Sequence, residues 1–136
     1  MSGLPEKYKE AVTFAFGDSP ALADELLALV LAGRKTATCA AMRDYAGNDG
    51  EKPVVGRRDV VLDGAGRPAA VIETVDVIVR RFDKVDADFA RDEGEGAATL
   101  AQWRQDHEAY FNRNGGFAPD MELLCERFRL VEILER

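Results

Sequence analysis

The chain has 136 residues, 46% of them hydrophobic and 32% charged, with a formal net charge of −7. That length suits one domain, spanning residues 1–136, with a sizeable core, and the acidic balance excludes a protein that coats nucleic acid indiscriminately, because such binding runs on phosphate neutralisation. Two cysteines and one histidine exclude a disulfide framework and a zinc quartet.

Residues 5–14 read as a helix. Ser19-Pro20 reads as an N-cap followed by proline at the first helical position, opening a second helix over 20–32 whose buried face carries Leu22, Leu26, Leu27, Leu29, Val30 and Leu31. Gly33 suits the left-handed residue that ends it. Thr36–Ala40 is then a short strand or turn, and Gly47-Asn48-Asp49-Gly50 with Pro53 is loop chemistry. Arg58–Asp63 and Ala69–Arg80 read as strands of a hairpin joined at Gly64-Ala65-Gly66. Helices follow at 86–93 and 98–112, the second carrying Leu100, Trp103, His107, Tyr110 and Phe111 before Asn114-Gly115-Gly116 ends it. A final strand covers Leu123–Leu134, with apolar residues on both faces, so it is either buried on both sides or bulged. The elements make an α+β protein without repeats or linkers.

The charge is unevenly spread. Residues 82–126 hold eleven acids against four bases, whereas residues 34–81 hold nine bases against seven acids. Arg34, Lys35, Arg43, Arg57, Arg58, Arg80 and Arg81 could line a local basic cleft despite the acidic total. No stretch reaches the roughly 18 apolar residues of a membrane span, and the opening Met1-Ser2-Gly3-Leu4-Pro5-Glu6-Lys7 lacks the layout of a secretion signal, so a cytoplasmic protein with reduced, buried cysteines is expected.

Two features carry chemistry. Gly33-Arg34-Lys35-Thr36-Ala37-Thr38 sets a lysine and two hydroxyls where an apolar helix stops, a placement that packing alone does not require. In the strand 69–80 the odd positions read Ala, Val, Glu, Val, Val, Val, so period-two geometry turns Glu73 inward with the valines. A buried carboxylate needs a cation or a proton. Lys35 is the candidate partner, since Arg80 and Arg81 sit roughly 20 Å away along the strand.

Other signals fall away on context. Ala28 stands where a phosphate-binding loop needs its first glycine. His107-Glu108 lacks the second histidine of a zinc protease and reads as structural. Asp92-Glu93-Gly94-Glu95 reads as a solvated acidic loop, and Trp103, Tyr110 and Phe111 read as core.

Phe16-Gly17-Asp18-Ser19-Pro20, then Gly33 to Cys39, then Val55-Gly56 before a strand, then Val71-Ile72-Glu73-Thr74 and Leu124-Cys125-Glu126-Arg127-Phe128 together resemble the ASCH (activating signal cointegrator homology) family, in its small bacterial single-domain form. The resemblance implies a PUA-like fold, a small, mostly antiparallel β-barrel flanked by helices, with RNA or a modified nucleoside as partner. Some members of that superfamily are N4-acetylcytidine amidohydrolases with a lysine, threonine and glutamate set, which maps onto Lys35, Thr38 and Glu73. Others bind RNA without catalysis or have been assigned ribonuclease activity, for which the acidic segment could supply a divalent ion. On the first reading Thr38 attacks an amide carbonyl, Lys35 takes its proton, and Glu73 orients the lysine or relays a proton to the leaving amine. Arg34, Thr36, Arg43 and Arg57 are then substrate or RNA contacts, and no cofactor or metal is called for. The acidic stretch 83–118 is extra to the amidohydrolase pattern, and its role is open.

Overall fold

A computed structural model describes residues 4–136. Five strands form one mixed sheet in the order β1-β3-β4-β5-β2, with β1 at Thr13–Phe14, β2 at Ala37–Ala41, β3 at Arg58–Leu62, β4 at Pro68–Arg81 and β5 at Glu122–Ile133. Among the described residues β1–β3 is the parallel pair; β3–β4, β4–β5 and β5–β2 are antiparallel. The edge strands β1 and β2 are not paired with each other among the described residues, so the expected barrel is present as an open five-stranded sheet.

Three helices attach to it: α1 at Pro20–Leu31, α2 at Ala87–Glu93 and α3 at Leu100–Arg113. Each starts as its sequence dictates, with Ser19, Asp86 and Thr99 accepting a hydrogen bond from the backbone N–H three residues on. Gly33 ends α1 with φ at +77°. The helix expected over 5–14 does not form. One turn of 3-10 helix covers Glu6–Tyr8, and Thr13–Phe14 instead pairs with β3. Thr13 is β-branched, and the carbonyl of Val12 accepts from Val60 N–H at 2.9 Å, so sheet pairing overrides a weak helical preference.

Three apolar clusters fill the fold. Phe16, Leu26, Leu27 and Val30 pack α1 against Val61, Ala70, Ile72 and Phe128. Tyr8, Val60, Val71 and Leu134 close the opposite face. Phe82, Phe89, Trp103 and Phe111 pack α2 and α3 against Leu123 and Cys125. Trp103 and Phe111 are thus core, as their helical spacing implied.

The strand β4 breaks its own alternation. Its register against β5 shifts between Thr74 and Asp76, so Val75 has no opposite residue and side chains beyond it swap faces. Val75 and Val79 are exposed and Thr74 is buried, the reverse of the period-two expectation. A second shift, between Val71 and Ile72, skips Val131 and bulges β5, which is also buried on both faces over Leu123–Glu126, so both alternatives left open for the last strand are present.

Candidate functional site

The exit of α1 positions Lys35. Arg34 and Lys35 both donate their backbone N–H to the carbonyl of Leu29, at 2.9 and 3.1 Å, which closes the helix and turns the chain into β2. This exit is bolted to the end of α2, because Thr36 donates its N–H to Asp92 O at 2.8 Å. The Thr36 hydroxyl donates to the same carbonyl at 3.3 Å, so Thr36 joins the two segments instead of lining the cavity.

Lys35 is 1% exposed, and its Nζ donates to Ala37 O at 2.9 Å and to Glu93 O at 3.3 Å. It also bonds the carboxylate of Glu95 and lies 3.5 Å from Glu93 Oε1, over the ring of Phe16. The acidic stretch therefore supplies the partners of the lysine. Glu93 is 1% exposed, approached by Trp103 Nε1 at 3.3 Å and by His107 Nε2 at 3.4 Å. Burial works against its charge, but the Lys35 charge and the His107 hydrogen bond outweigh it and hold Glu93 below the usual carboxylate range. Burial pushes Glu95 upward, and the Glu93 charge adds to that while Lys35 opposes it. The two carboxyls are driven apart, the arrangement by which paired acids take different proton-transfer roles.

His107 is placed by its stack on Trp103, ring centroids 4.1 Å apart, and by Nδ1 against Trp103 O at 2.9 Å. Burial lowers its pKa, yet the hydrogen bond and charge of Glu93 win, so the imidazole is raised above its ordinary value. It is a member of the charged cluster, beyond the structural role expected of it. Cys39 Sγ, a Glu93 oxygen and a His107 nitrogen lie within 4.8 Å of one another, a donor set that suits a soft divalent ion. The cations of Lys35 and His107 already balance that carboxylate. Burial and Glu93 push the Cys39 thiol well above its ordinary pKa, so it is a poor nucleophile. Cys125, directly opposite on β5, is raised to about 12, first by burial, and both cysteines are free.

A cavity of about 340 Å³ opens over this cluster, lined by Thr38, Glu93, Glu95, His107, Tyr110 and Phe16 among others. Thr38 and the two carboxylates that hold Lys35 thus line one cavity. Glu73 does not. Ile72 and Thr74 face the α1 side, whereas Glu73 follows Val71 onto the opposite face, where Arg58 Nε donates to it at 3.0 Å and Arg129 at 3.3 Å. The expected Lys35–Glu73 pair is replaced by this pairing, because β3 and β5 set Arg58 and Arg129 directly opposite Glu73. The two hydrogen bonds, that of Arg58 first, lower the Glu73 pKa.

The expected basic contacts have protein partners. Arg43 donates to Asn114 O at 3.2 Å and Gly116 O at 2.6 Å, tying the turn after β2 to the end of α3. Arg57 is bonded to Asp59 at 2.8 and 3.0 Å and to the carbonyls of Gly50, Glu51 and Lys52. Arg34 is exposed beside the cluster.

Glu93 and Glu95 flank Gly94, which caps α2 at φ +64°, and a Cβ there would lie 2.1 Å from Arg34 O. Gly94→Ala is expected to cost roughly 2–4 kcal/mol, from left-handed strain plus displacement of packed backbone. Urea denaturation of the variant beside wild type measures it.

A family model described as ASCH domain matches residues 12–132. Among solved structures, protein EF3133 from Enterococcus faecalis V583 is 35% identical with a TM-score of 0.82, covering 90% of this chain and 77% of its own. An ASCH domain from Lactobacillus crispatus JV V101 is 31% identical with a TM-score of 0.79, covering 93% and 86%. A mutant of ZmASCH from Zymomonas mobilis shares the fold at 12% identity and a TM-score of 0.51, covering 92% and 73%. A search of curated proteins gave no match. No described helix is long and apolar enough to cross a membrane. The motif order read along the chain, the sheet and the matched model agree: the chain belongs to the ASCH domain family.

Proposed function

We propose that the chain is an amidohydrolase that removes the acyl group from a modified nucleoside of the N4-acetylcytidine type, with Lys35, Thr38, Glu93 and Glu95 as its working set. The observation that carries this reading is a pair of carboxylates of opposed acidity, Glu93 and Glu95, that line one cavity with Thr38 and hold the buried Lys35 behind it. Glu93 replaces Glu73 as the carboxylate that orients the lysine.

The Thr38 oxygen attacks the acyl carbon as its proton passes to the Glu95 carboxylate, which the Lys35 ammonium holds in place, forming a C–O bond. The C–N bond then breaks and Glu95 delivers a proton to the leaving amine. Water adds to the resulting ester, giving up one proton to the same set, and its departure as carboxylic acid restores Thr38. The atoms balance as amide plus water to acid plus amine. Ionised Glu93 holds Lys35 against Phe16, and His107 neutralises the carboxylate from the other side. The noncatalytic RNA-binding alternative loses support from Arg43 and Arg57, whose guanidiniums are spent on carbonyls and Asp59.

Incubation with N4-acetylcytidine and, separately, with single-stranded RNA, each with and without magnesium, tests the reading. Acetate and cytidine are expected without metal, and Thr38→Val is expected to lower kcat by about 10²–10⁴-fold with an unchanged melting curve. Absence of turnover, or wild-type kcat in Thr38→Val, refutes the assignment.

A further inference from the structure

A second cavity, about 290 Å³, adjoins the first and shares Phe16, Gly17, Thr38, Cys39 and Tyr110 with it. Its lining includes Tyr45, Arg57, Asp59 and Glu126. Glu126 is 6% exposed and stands directly opposite Thr38 in the β2–β5 ladder. The other buried carboxylates have cations: Asp59 has Arg57, Asp63 has Arg67 and Arg136, and Glu93 has Lys35 and His107. Glu126 has a neutral partner instead, Thr74 Oγ1 at 2.6 Å from Oε2. No hydrogen bond reaches Oε1 among the described residues, so one oxygen of a buried carboxyl is left for a ligand.

We infer that Glu126 is the specificity residue of this site, acting as a carboxylic acid that reads the edge formed by a ring nitrogen and the neighbouring exocyclic N–H of an aminopyrimidine. The acid presents a donor and an acceptor side by side: Oε1–H donates to the ring nitrogen, and Oε2 accepts from the exocyclic N–H while keeping its bond from Thr74. This inference rests on the proposed amidohydrolase reading and narrows its substrate to amides of amino-heterocycles with a ring nitrogen beside the amide nitrogen. Because Thr38 lines both cavities, a ring anchored on Glu126 sets its exocyclic acyl group between Thr38 and the Lys35 cluster.

The electrostatics agree. Burial pushes the Glu126 carboxyl up to about 6, Asp59 on β3 adds to the rise, and Arg57 and the Thr74 hydrogen bond on β4 oppose it. Tyr45, in the turn after β2, is raised by burial and by Glu126 and stays a neutral phenol. Thr38 on β2 adds no charge. Such an acid is easily kept protonated by a ligand that accepts its proton in a hydrogen bond.

Calorimetric binding of cytidine and of 3-deazacytidine, in which C–H replaces the ring nitrogen, tests the inference without requiring turnover. Wild type is expected to prefer cytidine by roughly tenfold or more, with cytidine affinity falling about tenfold per pH unit well above the carboxyl pKa. Glu126→Gln, which keeps a donor and an acceptor, is expected to retain the preference with affinity flat in pH. Glu126→Leu is expected to bind both nucleosides alike, with folding checked by thermal melting. If Glu126→Leu does not fold, the contrast between the wild-type pH slope and the flat glutamine profile carries the test alone. Equal affinities in wild type, no cytidine binding at all, or a preference that survives in Glu126→Leu overturns the inference. Hydrolysis of N4-acetylcytidine without nucleoside discrimination would sink this inference and leave the amidohydrolase standing. Discrimination without hydrolysis would do the reverse.

Discussion

Lys35→Met is expected to cost about 3–5 kcal/mol of folding stability, the usual penalty for removing one partner of a buried ion pair. Methionine fills the volume of the lysine stem, so the loss comes from charge and not from a void. Glu93, itself 1% exposed, would keep His107 and Trp103 but lose the cation that does most to offset its burial. Urea denaturation gives the number, and a second variant isolates its cause. In Lys35→Met/Glu93→Gln the fully buried unpaired carboxylate is gone, and Glu95, which burial already pushes toward its neutral acid, and His107 can each shed their charge, so most of the stability should return while activity stays absent. A single variant as stable as wild type would mean that the cluster does not hold the α1 exit to the α2 end.

Glu126→Gln is expected to raise stability by about 2 kcal/mol above pH 7, and by almost nothing near pH 4. The sign follows from proton uptake. An ordinary glutamate titrates at 4.5, whereas the folded protein holds Glu126 to about 6. Between those values the native state binds more protons than the unfolded chain, so stability falls as pH rises through that window. Below it the acid is neutral in both states and no penalty exists. Glutamine keeps a hydrogen bond with Thr74 and never ionises, so the difference between variant and wild type should open from pH 4.5 to 6 and then level off. Chemical denaturation at four or five pH values measures it. A difference independent of pH would assign the effect to packing. A gain of stability beside loss of the pH dependence of nucleoside affinity is the pattern of a residue retained for function at a cost to the fold.

These two residues were unequally visible before folding. Lys35 stood out because a lysine followed by two hydroxyls at a helix exit has no packing reason to be there, and the exit geometry followed from Ser19, Pro20 and Gly33 alone. Glu126 lay in a segment whose mixed alternation gave no hint of which side chain pointed into a cavity. Glu73 was singled out by alternation, which put it on the face of Val71 as the fold does, but period two does not say which cations the neighbouring strands bring to that face, and there they are Arg58 and Arg129. Glu93 and Glu95 read as solvent-facing because acidic loops usually are. The signal that could have found them is their position on either side of Gly94, a helix-ending glycine with a carboxyl on each flank, in a chain whose buried lysine lacked a counter-charge.

The amino-acid order by itself determined α1, α2 and α3 with their caps, the hairpin and the family, because capping, turn chemistry and motif succession are local properties of a chain. Tertiary structure alone decided which carboxylates meet Lys35, since residues 35, 93 and 95 converge only when the end of α2 docks on the exit of α1. It also decided that the arginines opposite Glu73 come from neighbouring strands, through a register that no single segment contains. Electrostatic partnership is set by distance in space, and a sequence fixes that distance only through the completed fold.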